Sequence, residues 1–123
     1  MTKREISELI KRYPNIREAI KKGLHKATFY VGKRKREIVL TDDVKTVLTI
    51  IDDIYNSTNN KWVRSMIREL EAGKSDISII CGMPWSRSVY YEHKRRLVEK
   101  IYNCCVSLQL IGYTEILKEE IAL

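Results

Sequence analysis

Arg87, Ser88, Val89, Tyr91, Glu92 and Arg95 lie close together just after the dipeptide Trp85-Ser86. Side chains of these types read a surface rather than break a bond. The Arg87 fork can pair bidentately with guanine, and Ser88 or Tyr91 can meet base edges or phosphates. Lys74, Ser86, Arg96 and Lys100 suit the sugar-phosphate backbone, which positions a protein without reporting sequence. An ordinary solvated helix face would carry the same charges, and Tyr90 and Tyr91 could belong to a core. The turn signal just ahead of them favours DNA.

Catalytic chemistry has much less to work with. His25 and His93 are the only imidazoles, neither stands beside a serine or cysteine nucleophile motif, and no glycine loop would cradle a phosphate. Cys81, Cys104 and Cys105 are odd in number and form no C-x-x-C pair, so they are expected as reduced core or half-core thiols rather than metal ligands. The pairs Asp42-Asp43 and Asp52-Asp53 are accounted for by a helix dipole and by solvent. A non-enzyme with no cofactor and no metal is the expectation.

The helices that must present the recognition residues follow from caps and periodicity. Ser75 caps a short helix over residues 75–81, Gly82-Met83-Pro84-Trp85 forces a turn because Pro84 cannot continue the hydrogen-bond ladder, and Ser86 opens a second helix reaching about residue 110. A short helix, a tight turn and a longer basic helix make up a helix-turn-helix, whose second helix lies in the major groove. Tyr90 and Leu97 should then face the core. The row Tyr90, Lys94, Leu97, Ile101, Cys104, Leu108, Ile111 alternates four and three residues apart and predicts packing against the protein's own helices, with a homodimer seam as the alternative.

Upstream, Thr2 and Glu5 form a capping-box signal for a helix bearing Ile6, Leu9, Ile10 and Tyr13 on one face. Pro14 ends it, and a second helix carries Ile16, Ile20, Leu24 and Ala27, with Gly23 weakening its interior. Thr41 opens an acidic helix whose stripe of Val44, Val47, Leu48, Ile51, Ile54 and Tyr55 predicts the central core element. Trp62, Val63, Met66, Ile67 and Leu70 define a support helix that closes at Gly73. Beyond Gly112, Thr114 caps a last amphipathic turn or two over residues 115–122.

Residues 28–40 lose helical period. Their composition fits either a small ribbon or a loop, and a loop is the expectation. Lys33, Arg34, Lys35 and Arg36 within it fit a solvated connector and a DNA-backbone or minor-groove arm equally well.

Charge narrows the partner. Residues 1–40 hold 12 basic against 4 acidic side chains and residues 86–102 hold 5 against 2, in a chain whose net charge is +7. Such clustering implies a polyanion, and nucleic acid fits better than membrane because no strongly apolar helix face accompanies the basic one. No apolar run approaches the ~20 residues of a membrane span, and the chain begins in a charged amphipathic pattern, so a cytoplasmic protein is expected. With 123 residues, 44% of them hydrophobic, one domain is the default: basic N-terminal helices and loop over 1–40, then a helical DNA-binding part over 41–123 with the helix-turn-helix at 75–111.

The segment Gly73-Lys74-Ser75, continued by Trp85-Ser86-Arg87-Ser88-Val89-Tyr90-Tyr91-Glu92-His93-Lys94-Arg95-Arg96-Leu97-Val98, resembles the C-terminal helix-turn-helix of RinA/ArpU-type phage transcriptional regulators, itself similar to region 4 of bacterial sigma factors. A weaker resemblance runs through Tyr13-Pro14-Asn15-Ile16-Arg17-Glu18-Ala19-Ile20, Lys61-Trp62-Val63-Arg64-Ser65-Met66-Ile67 and Ser107-Leu108-Gln109-Leu110-Ile111. The chain departs from the family pattern at Pro84, a frequent glycine, and at Lys94, on a row that is usually apolar. The resemblance implies an all-α domain with a sigma-region-4-like helix-turn-helix. It also implies a phage or prophage activator of late packaging or lysis genes, at the bacterial nucleoid, with double-stranded DNA and host RNA polymerase as partners. A helical module binding polymerase or a phage protein, and a terminase-like packaging subunit, are the other readings.

Overall fold

The computed structural model describes residues 2–108, which form six α-helices and one antiparallel hairpin. α1 (Lys3–Lys11) starts at the predicted capping box: the Thr2 hydroxyl accepts from the Glu5 amide at 3.1 Å while the Glu5 carboxylate accepts from the Thr2 amide at 3.4 Å. Two amide donors that a helix start otherwise leaves unpaired are thereby satisfied. α2 (Tyr13–Lys21) follows at once, with Pro14 in its first turn, where a missing N–H does no harm.

Gly23 ends α2 instead of weakening its interior. Its φ is 72°, and the amides of Gly23 and Leu24 donate back to the carbonyls of Ile20 and Ala19, a Schellman closure. Leu24, expected on the apolar face, is consequently exposed, and Ala27 is buried in a strand.

That strand overturns the expected loop. β1 (Lys26–Val31) pairs antiparallel with β2 (Arg34–Val39), Lys26 opposite Val39 and Val31 opposite Arg34. The two-residue turn between them has Gly32 at φ 63°, the handedness that tight hairpins require. A lone two-stranded hairpin is marginal in water; this one packs on α2 and buries Ala27 and Phe29. The all-α expectation becomes a mostly helical fold with a small two-stranded sheet.

α3 (Asp42–Ser57), α4 (Lys61–Glu71), α5 (Asp76–Cys81) and α6 (Arg87–Ser107) complete the chain. Their first turns are capped by Thr41, Asn60, Ser75 and Ser86, whose side-chain oxygens accept from amides two or three residues on, each worth about 1 kcal/mol. α6 ends at Ser107, short of the predicted residue 110. Ile111 and the helix capped by Thr114 fall outside the described residues.

One hydrophobic cluster gathers buried side chains from Ile6 to Cys105. α3 contributes Val44, Val47, Leu48, Ile51 and Ile54 as predicted, and Ile50 besides. On α6 the buried set is Tyr90, Leu97, Val98, Ile101, Tyr102 and Cys105, so the predicted row holds at its start and drifts off by Leu108, which is exposed. Trp62, placed on the apolar stripe of α4, is also exposed and carries the Lys61 ammonium 5.0 Å from its ring. α1 runs along α6 in the opposite sense: the Lys3 ammonium sits 5.1 Å over the Tyr102 ring, while Lys11 and Lys94 line one cleft nearer the start of α6.

Asp52 does not face solvent alone. Its carboxylate accepts from the Tyr13 hydroxyl at 2.7 Å and pairs with Arg17, which also donates to the Tyr13 oxygen at 2.9 Å, fastening α2 to α3. Burial is the main reason that the Tyr13 phenol is pushed up to about 12. Among the described residues no helix is long and apolar enough to cross a membrane.

Candidate nucleic-acid interface

α5 and α6 are joined by residues 82–86, and the connector is held from both ends. Trp85 stacks on His93, ring centroids 4.2 Å apart and planes inclined by 18°, which fixes the end of the connector to the second turn of α6. Across the helix pair, Tyr90 has no exposed surface and donates its hydroxyl to Asp76 Oδ1 at 2.6 Å; the Lys94 ammonium donates to the same oxygen at 2.8 Å. The acid that opens α5 thus explains how a lysine occupies an otherwise apolar row. Burial alone would raise the Asp76 pKa, but the hydrogen bonds from Lys94 and Tyr90 outweigh it and hold this carboxyl below its usual range. Burial, reinforced by the Asp76 charge, pushes the Tyr90 phenol up.

With this inner face anchored, the side chains expected to read bases have defined positions. Arg87, Ser88, Val89, Tyr91 and Arg95 are exposed and Glu92 is half-buried. At 3.6 residues per turn, Arg87, Ser88, Tyr91 and Arg95 fall within about 100° of arc, whereas Val89, Arg96 and Lys100 turn to another side. Glu92 lies between the two groups and accepts from Arg95 at 2.6 Å and from Arg96 at 3.2 Å; Arg95 also donates to Glu99 at 2.7 Å. Among the described residues Arg87 has no carboxylate partner, so it is the cation of this strip with its fork unoccupied. Ser86 is committed to capping α6, and exposed Lys74 pairs with Glu69. Lys100 is further along α6, beside Ile50, Ile54 and Leu108 on the α3 side, away from the connector. Asp76 escaped the sequence analysis, since only the folded chain brings it to Tyr90 and Lys94.

The basic run at 33–36 is divided by the strand pleat. Arg36 is opposite Phe29 and Arg34 opposite Val31, so both share the face of Phe29, whose ring also lies 4.2 Å from the Arg12 guanidinium. Lys35 is on the other face with Glu37, 3.9 Å away, and Lys33 is in the turn. If the run contacts phosphates, replacing Lys33, Arg34, Lys35 and Arg36 with Ala weakens binding to every DNA sequence alike and flattens its salt dependence, by about 0.9 in the log–log slope for each phosphate no longer neutralised. Arg34 and Arg36 should account for more of the change than Lys35. An unchanged slope in a salt titration would return the hairpin to the role of a solvated connector.

The cysteines need one correction: Cys105 is buried and Cys104 half-buried, but Cys81 at the end of α5 is exposed rather than part of the core. Burial, with Cys104 adding to it, raises the Cys105 thiol. Thiol titration of freshly purified, unfolded protein should find all three free. Recovery of an intramolecular disulfide or of stoichiometric zinc would contradict this.

Compared with protein families, with curated proteins and with solved structures, the chain matches none.

Proposed function

We propose that this chain is a sequence-specific regulator of transcription that binds double-stranded DNA, with α5, the connector and α6 acting as a sigma-region-4-like helix-turn-helix. The observation that carries the proposal is the two-sidedness of α6. Tyr90, Lys94 and Leu97 anchor one side to the body, while Arg87, Ser88, Tyr91 and Arg95 form an exposed strip beginning at the helix start, the part of a recognition helix that reaches base edges. The resemblance to RinA/ArpU-type regulators extends this to a phage or prophage activator of late genes at the bacterial nucleoid, with host RNA polymerase as a further partner.

The test is selection from a library of randomised DNA duplexes, followed by mobility shifts of the enriched pool. A shared motif, bound more tightly than random duplex and more weakly as salt rises, is the expected result. Absence of DNA affinity at low salt would instead favour a helical interaction module. That second reading has its own observation, an apolar groove of about 600 Å³ between α3 and the end of α6, lined by Ile50, Ile54, Cys104 and Leu108.

A further inference from the structure

α1 forms one wall of a cleft whose other walls are the loop between α4 and α5 and the Lys94 side of α6. It has a volume of about 450 Å³ and is lined by, among others, Arg4, Ser7, Lys11, Lys74, Ser75 and Lys94. The charges can be paired off one by one. The two acids in its wall are both engaged, Glu8 by Arg12 at 3.4 Å and Asp76 by Lys94 at 2.8 Å. Lys74 is matched by Glu69. Arg4 and Lys11 remain, both exposed and neither with a carboxylate partner among the described residues. The cleft wall thus holds four cations against two acids, with Lys11 near enough to Asp76 to help hold its carboxyl down, and the hydroxyls of Ser7 and Ser75 add donors for an anion.

The placement of those cations is specific. Arg4 and Lys11 are two turns apart on one face of α1, about 10 Å along its axis, far enough to meet different phosphates of one strand. The cleft also adjoins the recognition strip: Tyr91 is three residues before Lys94 and is its neighbour on the surface of α6. A duplex seated on the strip would carry its backbone toward α1.

We propose that this cleft is a phosphodiester-binding site for the backbone of the duplex read by α6, with Arg4 and Lys11 as the cations that hold it. The inference rests on the helix-turn-helix reading. It adds the first helix of the chain, outside the resemblance to any recognition motif, to the DNA-binding surface.

The test compares the parent protein, Arg4→Gln/Lys11→Gln and a charge-matched control, Lys21→Gln/Lys45→Gln, whose sites are exposed on α2 and α3. Each is checked for folding by thermal melting. Each is then titrated over a salt series with two probes, a duplex selected by the parent from a randomised library and a random-sequence duplex. For Arg4→Gln/Lys11→Gln, the log–log salt slope should become shallower by about 2, the two probes should weaken in equal proportion, and their affinity ratio should persist. The control should keep the parent's slope. A parental slope and affinity in Arg4→Gln/Lys11→Gln overturns the site, as does an equal change in the control or a loss confined to the selected duplex. If Arg87→Ala abolishes the ratio while Arg4→Gln/Lys11→Gln behaves as parent, only the cleft falls. If the parent binds neither probe at low salt, the helix-turn-helix reading falls and takes the cleft with it.

Discussion

Tyr90→Ala is expected to lower the folding free energy by about 3–5 kcal/mol, the range for deleting a fully buried aromatic side chain. Tyr90 has no exposed surface, and its ring meets that of Tyr91 edge-on with centroids 5.2 Å apart. Its removal opens a cavity at the junction of α5 and α6 and takes one of two donors from Asp76. Against a total stability of about 5–15 kcal/mol for an ordinary domain, such a loss moves a denaturation midpoint a long way. Tyr90→Phe separates the contributions: it keeps the ring and removes only the hydrogen bond, so it should lose about 1–2 kcal/mol. Urea denaturation followed by circular dichroism measures both. If Tyr90→Ala unfolds within about 1 kcal/mol of the parent, the side chain is no anchor. DNA binding by Tyr90→Ala should fall mainly through unfolding, since the side chain is buried and turned to Asp76, with its contact to the Tyr91 ring as its link to the strip.

Arg87→Ala should do the reverse, leaving the fold intact and removing discrimination. The side chain is exposed, has no carboxylate partner among the described residues and projects from the first position of α6. A loss of about 1–3 kcal/mol on the selected duplex, with little loss on random DNA, is the expected signature of a base-reading arginine. Arg95→Ala should be milder, since Glu92 and Glu99 already occupy its guanidinium and would have to release it before DNA could gain. Affinities on both duplexes, measured at one salt concentration, give the comparison directly. Should Arg87→Ala bind the selected duplex as tightly as the parent, α6 does not read DNA and the interaction-module reading takes over.

What could be read in advance was whatever is encoded locally. The caps at Thr2, Thr41, Ser75 and Ser86 act through hydrogen bonds to amides within three residues, and the stripe on α3 recurs at helical period, so all were visible in a single window of sequence. The hairpin was not, because its choice over a loop depends on α2 offering a surface for Ala27 and Phe29, although Gly32 between two β-rich runs was an available signal. Gly23 was misplaced because a glycine inside an apolar period and one that ends it look alike until the chain turns. At the candidate site, the exposure of Arg87, Ser88 and Tyr91 followed from burial of Tyr90 and Leu97. The division of the 33–36 run and the partner of Lys94 needed strand pairing and the approach of α5 to α6.

The antiparallel packing of α1 on α6 also has a bearing on how the protein comes into being. Lys3 meets Tyr102, so the α1–α6 part of the core closes across nearly the whole described chain, whereas α1 also packs on its nearer neighbours α2 and α4. Closing so long a loop is an entropic barrier that short-range contacts do not share. A peptide cut to residues 75–108 would lack the α1 and α3 surfaces that cover Val98, Ile101 and Cys105. The helix pair proposed to touch DNA is thus no detachable cassette: chains lacking α6 would leave the surfaces of α1 and α3 that pack on it uncovered, and exposed apolar surface of this kind draws chaperones and proteases.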